Sequence, residues 1–296
     1  MTGQLITNSF VEIQESFEKV IAWLESFGVR ISSTRVDRYK DAIQKVQEIH
    51  ASGDESAAEN YLPKAINTLH EIHDLIEVRR GFANANYSEF LSPIIEKLAS
   101  GPDAYADENS SASNRARNTA FELIVASRLA SSGLPIFRRG AHDLATEIKS
   151  KIVLIECKRP FAAKQIERRI KEGFSQLEKG YKGTDLIRLR GIVAVDVTRA
   201  HNPSFRPFTF EDPKDLGRVA ESYLTSITKK FDDVMSKRGS KKTIGLIFRV
   251  SMMALPVGIA DRVSYCQQLE IYSYKQSSTP DREIMWQIYE KLTAKT

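Results

Sequence analysis

Cysteine is scarce in this 296-residue chain, with Cys157 and Cys266 as the only two. Two thiols so far apart exclude a disulfide framework and a zinc knuckle, and they suit a reducing compartment. Long hydrophobic runs are lacking too. The longest, Ile244 to Ala260, is interrupted by Arg249 and falls short of the ~18 residues a membrane span needs. Met1 to Phe17 lacks the basic start and apolar centre of a secretory signal and carries Glu12 and Glu15. The expectation is a soluble, cytoplasmic protein with no membrane partner. Neither G-x-x-x-x-G-K-[ST] nor G-x-G-x-x-G occurs, so any NTP-driven work would fall to another protein.

What is present is ordinary for a globular chain: 42% of residues are hydrophobic and 27% charged, which excludes a wholly disordered or collagenous protein. The net charge of +5 is unevenly spread. Residues 1–100 hold 10 Lys and Arg against 15 Asp and Glu, whereas residues 101–296 hold 33 against 23. A basic body behind an acidic segment points to a polyanion partner for the body, although a solvated lysine-rich surface has the same composition.

Residues 1–100 read as a helical N-terminal domain. Phe10, Ile13, Phe17, Val20, Ile21, Leu24 and Phe27 recur at helical spacing before Gly28. Further helices are predicted over Arg35 to Ala51, from about Glu55 through Ile76, and over Ser88 to Leu98. Residues 101–114, GPDAYADENSSASN, lack large aliphatic side chains and read as a linker or long loop. Beyond it, over 115–296, the pattern becomes mixed. Helices are predicted over Arg115 to Ser131, Ala163 to Tyr181, Leu216 to Arg238 and Arg282 to Leu292. Strands are predicted over Ile136 to Arg138, Leu144 to Ile148, Ile152 to Cys157, Gly191 to Thr198 and Thr243 to Ala254, with Val263 to Lys275 as an edge strand. The fold class is therefore α/β, a mixed sheet flanked by helices, preceded by an all-α region.

The chemistry concentrates in HDLATEIKSKIVLIECKRP, His142 to Pro160. Ile152 to Ile155 has the composition of a strand buried on both faces. Alternation places Glu156 and Lys158 on one face and Cys157 on the other. Charges at the end of such a strand are costly unless paired or bound to a metal. A hairpin with the preceding strand brings Asp143 near Glu156, and two carboxylates beside a lysine suit a hard cation with a charge-stabilising or proton-handling amine. Glu147-Ile148-Lys149 repeats the Glu-x-Lys spacing but abuts a turn instead of ending an apolar run.

Asp143, then twelve residues, then Glu156-Cys157-Lys158 at the end of an apolar strand resembles the PD-(D/E)XK nuclease superfamily, with its restriction-endonuclease-like fold. Glu122 in the preceding helix and Gln176 in the following one extend the resemblance, which spans roughly Arg115 to Thr198. His142 stands where the motif's name has proline. The resemblance implies a magnesium-dependent hydrolase of phosphodiester bonds, with manganese as an alternative ion and DNA in preference to RNA, of a restriction or phage-defence type. It implies that Asp143, Glu156, Glu122 and the backbone carbonyl of Cys157 hold the metal. Lys158 would orient or deprotonate the attacking water or stabilise charge, and Gln176 would position a ligand or phosphate. Arg138, Arg139, Arg159, Lys164, Arg168 and Arg169 surround the motif in sequence. Arg139, Arg159, Lys164 and Arg168 are taken as phosphate contacts.

The competing class is an inactive nuclease-fold protein that binds nucleic acid or acts as a scaffold. The acidic helical region offers a docking surface for a partner protein or a second copy in a homodimer. Several features carry a structural reading instead. His70 and His73, with His50 near in sequence, lack the Cys or carboxylate pattern of a metal site. Cys157 reads as a packing residue, Asp196 as a cap or ion-pair partner, and Trp23 and Trp286 as packing residues on amphipathic helices.

Overall fold

The computed structural model describes residues 4–83, 87–102, 114–181, 187–204, 206–238, 242–256, 261–274 and 277–294. The predicted linker falls almost wholly on 103–113, outside the described residues. The chain opens with strand β1 (Gln4–Ser9), then helices α1 (Phe10–Ser26), α2 (Arg35–Ser52) and α3 (Glu55–Gly81). Ser9 and Glu12 form a reciprocal cap at the start of α1: the Glu12 carboxylate accepts from the Ser9 amide at 2.7 Å and the Ser9 hydroxyl from the Glu12 amide at 3.2 Å. Gly28, at φ +78°, turns the chain out of that helix. The predicted fourth helix is broken by Pro93 into a single turn, α4 (Ser88–Leu91), and a 3-10 segment, Ile95–Ala99.

The remainder follows as α5 (Arg115–Ser131), β2 (Ile136–Phe137), β3 (Leu144–Ile148), β4 (Lys151–Lys158), α6 (Ile166–Gly180), β5 (Leu189–Asp196), α7 (Thr198–His201), β6 (Phe208–Phe210), α8 (Pro213–Arg238), β7 (Thr243–Pro256), β8 (Arg262–Ser273) and α9 (Thr279–Thr293). Lys149 and Ser150, both at positive φ, make the two-residue turn of the β3–β4 hairpin.

The strands form one mixed sheet in the order β1-β8-β7-β5-β4-β3-β2, with β6 also on β7. β4, β5, β6 and β7 run parallel, whereas the pairs β1–β8, β8–β7, β4–β3 and β3–β2 are antiparallel. Two expectations change here. The N-terminal region is not all helix, because β1 pairs with β8 from Gln4↔Gln267 to Ser9↔Arg262. For the same reason β8 is an interior strand, not an edge.

Alternation along β4 sorts its side chains into two apolar layers. Val153 and Ile155 join a core shared with α1, α2, α3, α5 and α9, while Leu154 joins α6 and α8 on the other face. The helical region is thus packed on the sheet, with Phe17, Leu24 and Ile72 in the same cluster as Ile192 and Ile247. Buried ion pairs cross that contact: Asp74 of α3 accepts from Arg249 of β7 at 2.5 Å, and Glu71 binds Arg117 of α5 at 2.5 Å as well as Arg35. Among the described residues no helix is long and apolar enough to cross a membrane.

Candidate functional site

The β3–β4 register, Leu144↔Ile155, carries Asp143 back alongside the end of β4. Asp143 precedes β3 by one residue, and its Oδ2 accepts a 2.7 Å hydrogen bond from the Cys157 amide. Lys158 reaches into the same space. Its Nζ lies 2.9 Å from Glu156 Oε2, 3.6 Å from Asp143 Oδ2 and 3.1 Å from the Cys157 carbonyl. Burial alone would depress the Lys158 pKa, but the charges of Asp143 and Glu156 outweigh it and hold the ammonium above its ordinary value. A lysine so held favours its charged form, which suits charge stabilisation.

Glu122 approaches from α5. Burial and, secondly, the Asp143 charge push its carboxyl up to about 7, against the pull of Arg138, Lys158 and Lys97. Arg138 Nη2 lies 3.9 Å from Glu122 Oε2. Together Glu122, Asp143, Lys158 and the Cys157 backbone line a cleft of about 420 Å³ at the C-terminal end of β4, between α5 and α6. Gln176, exposed on α6, lines the same cleft.

Glu156 is placed differently from its sequence neighbours. It is 1% exposed and does not line the cleft. Its Oε1 accepts from His142 Nδ1 at 2.6 Å, while Oε2 holds Lys158. The imidazole is itself fixed, since a Cβ at Gly180 would overlap the His142 ring. Of the predicted phosphate contacts, Arg159 lines the cleft but is buried, with its charge acting on Asp196. Arg139, Lys164 and Arg168 do not line it, and Arg168 is 3.5 Å from Glu172. Arg169 and Lys179 take their place on the α6 side. Sequence reasoning missed His142 as a partner of Glu156 and missed Asn118 and Lys179. His142, beside Asp143, was the one visible signal.

The set-aside residues resolve in structural terms. Asp196 Oδ2 pairs with Arg249 at 2.8 Å and Oδ1 caps the Thr198 amide at 2.9 Å. His70 bonds Ser251 at 2.8 Å, and His73 bonds Asn8 at 3.2 Å; the His50 side chain lies outside the described residues. Burial pushes the Cys157 thiol well up, as expected of a packing residue. Trp23 packs against the core, but Trp286 is 54% exposed, corrected from a packing residue to a surface one whose indole donates to Glu290 at 2.8 Å.

Among the described residues, no three His, Cys, Asp or Glu side chains converge as metal ligands. Three carboxylates line the cleft: Asp143 and Glu122 beside the Cys157 carbonyl, and Glu172 on α6, which is paired with Arg169 at 2.8 Å. Burial, with the Asp143 charge second, outweighs the nearby cations in raising Glu122 to about 7, and the all-oxygen set of Asp143, Glu122 and the Cys157 carbonyl suits a hard cation. No family model, curated protein or solved structure matches this chain.

Proposed function

We propose that this chain is a metal-dependent nuclease that hydrolyses phosphodiester bonds, with DNA as its substrate. One observation carries the reading: the half-buried Lys158 ammonium nitrogen sits 3.6 Å from Asp143 in a cleft whose other wall presents Glu122. Asp143, Glu122 and the Cys157 carbonyl are the groups that would hold Mg²⁺ or Mn²⁺. When bound, such an ion lowers the pKa of water and neutralises phosphate charge. Lys158 meets negative charge as it develops on the phosphoryl oxygens, a cation already oriented by its contacts with Glu156 and Asp143. Glu156, anchored by His142, aims that ammonium. Gln176 and the α6 cations orient the backbone. A restriction or phage-defence role follows from the resemblance alone.

The second reading, an inactive nuclease-fold module that binds nucleic acid, draws on the engagement of Glu156 with His142 and Lys158, which keeps that acid out of the cleft. Supercoiled plasmid and its linearised form, each incubated with Mg²⁺, Mn²⁺ or EDTA, separate the two. The nuclease reading expects EDTA-sensitive cutting that Asp143→Ala and Lys158→Met each reduce at least about 100-fold. Metal-independent binding without cutting favours the module, and cutting undiminished in both variants overturns the assigned site.

A further inference from the structure

The cleft does not end at Asp143. A second cavity of about 500 Å³ abuts the first and shares Asn118, Glu122 and Asp143 with it. Its far wall carries Lys97, Arg115 and Arg138. Lys97 belongs to the 3-10 segment of the helical region and is half-buried, whereas Arg115 is exposed at the first residue of α5. Arg138 is steadied from the helical region, its guanidinium lying 5.7 Å from the Phe90 ring centroid. On the other side stand Lys179 and Arg169, the latter shared with Glu172 at 2.8 Å.

The acids therefore lie at the middle of a continuous groove with cations on both arms. Once a bound cation offsets Asp143 and Glu122, each arm attracts anions. A polyanion held on one arm alone would need only one such wall. Two walls fit a strand that enters on one side and leaves on the other, its phosphates gripped before and after the bond at the acids. We propose that Lys97, Arg115 and Arg138 form a second phosphate-binding arm, to which the helical region contributes Lys97 and the Phe90 ring beneath Arg138, so that the substrate is the interior of a nucleic-acid strand and cutting is endonucleolytic. This rests on the nuclease reading above and adds to it a substrate geometry and a role for the first hundred residues.

The test uses the full chain with Asp143→Asn as a non-cutting background, a fluorescein-labelled single-stranded DNA 20-mer, and anisotropy across a salt series in Mg²⁺. Adding Lys97→Gln and Arg115→Gln should weaken binding about tenfold at low salt and lower the log–log salt slope by about 1.4, or ~0.7 per lost contact on single strands. The same charge change at Lys40 and Lys45 on α2 should leave both unaltered, and thermal melts report whether the variants fold. In parallel, the unsubstituted protein should open covalently closed single-stranded circles. Equal affinities for the groove and α2 variants, or cutting confined to strands with free ends, overturns the second arm while leaving the nuclease reading intact. A protein that leaves single-stranded circles, linear strands and duplex plasmid all whole with either metal fails the nuclease reading itself, and this inference with it.

Discussion

His142 Nδ1 lies 2.6 Å from Glu156 Oε1, so the residue next to Asp143 engages a β4 acid that does not line the cleft. Both side chains are buried. The pair leaves Oε2 alone to face Lys158, and it fixes where that ammonium points. Gly180 completes the arrangement by leaving room for the ring.

The Gly180 contact makes a stringent prediction. Gly180→Ala forces its methyl into the imidazole and should cost about 1–3 kcal/mol by overpacking. His142→Ala strips a buried carboxylate of a hydrogen bond and should cost about 1–3 kcal/mol. In His142→Ala/Gly180→Ala the new methyl enters space that the ring vacated, so the costs should fall short of additive by at least about 1 kcal/mol. Urea unfolding of the four proteins measures this, and strict additivity would show that ring and glycine do not constrain each other.

Glu122 predicts a pH dependence with a defined sign. Its carboxyl is raised to about 7 by burial and by Asp143, so the metal-free fold holds a proton that the unfolded chain releases. Stability of the metal-free protein should therefore fall as pH rises from about 4.5 through 7, by at most about 3 kcal/mol. Cation binding needs the ionised form and runs the opposite way: Mn²⁺ affinity should climb about tenfold per pH unit below 7 and level off above. Glu122→Gln should flatten both curves. A Mn²⁺ affinity in the parent protein that ignores pH between 5 and 8 would remove Glu122 from the cation site.

The body of the fold was legible because its strands follow burial. Ile152 to Ile155 has the composition of a strand covered on both faces, and Val153 and Leu154 do go to opposite cores. β1 was not legible: QLITNS is half-buried without alternation, and its partner residues lie over 250 positions away at Thr7 and Ser264. Missing β1 made β8 look like an edge. At the site, spacing and hairpin geometry brought Asp143 to Lys158, a short-range inference. Lys97 and Arg138 meet at Glu122 only through the packing of the helical region, for which the sequence carries no periodic signal. The side on which Glu156 spends its oxygens was equally hidden, since strand alternation assigns a face but not a rotamer.

The helical region should make the fold acid-sensitive through His73. Its ring stacks on Tyr265 at 4.2 Å with planes 3° apart, and its Nε2 accepts from the Asn8 side-chain amide. Protonation would set two donors against each other in a buried site. Burial depresses the pKa to about 3, with Glu77 opposing and the charges of His70 and Arg80 assisting. The unfolded chain, titrating near 6.5, therefore binds the proton first. Stability from this group is fully present above about pH 6.5 and declines as pH falls, at a limiting slope of about 1.4 kcal/mol per unit until the folded pKa is reached. His70, also lowered by burial, steepens the same limb. His73→Phe keeps the stack and loses the bond to Asn8, so at pH 7 it should be about 1 kcal/mol less stable than the parent. Between pH 6 and 4 its curve should fall less steeply, and the two should cross. Parallel curves over that range would mean that His73 takes up no proton on unfolding, and the acid sensitivity would belong to other groups.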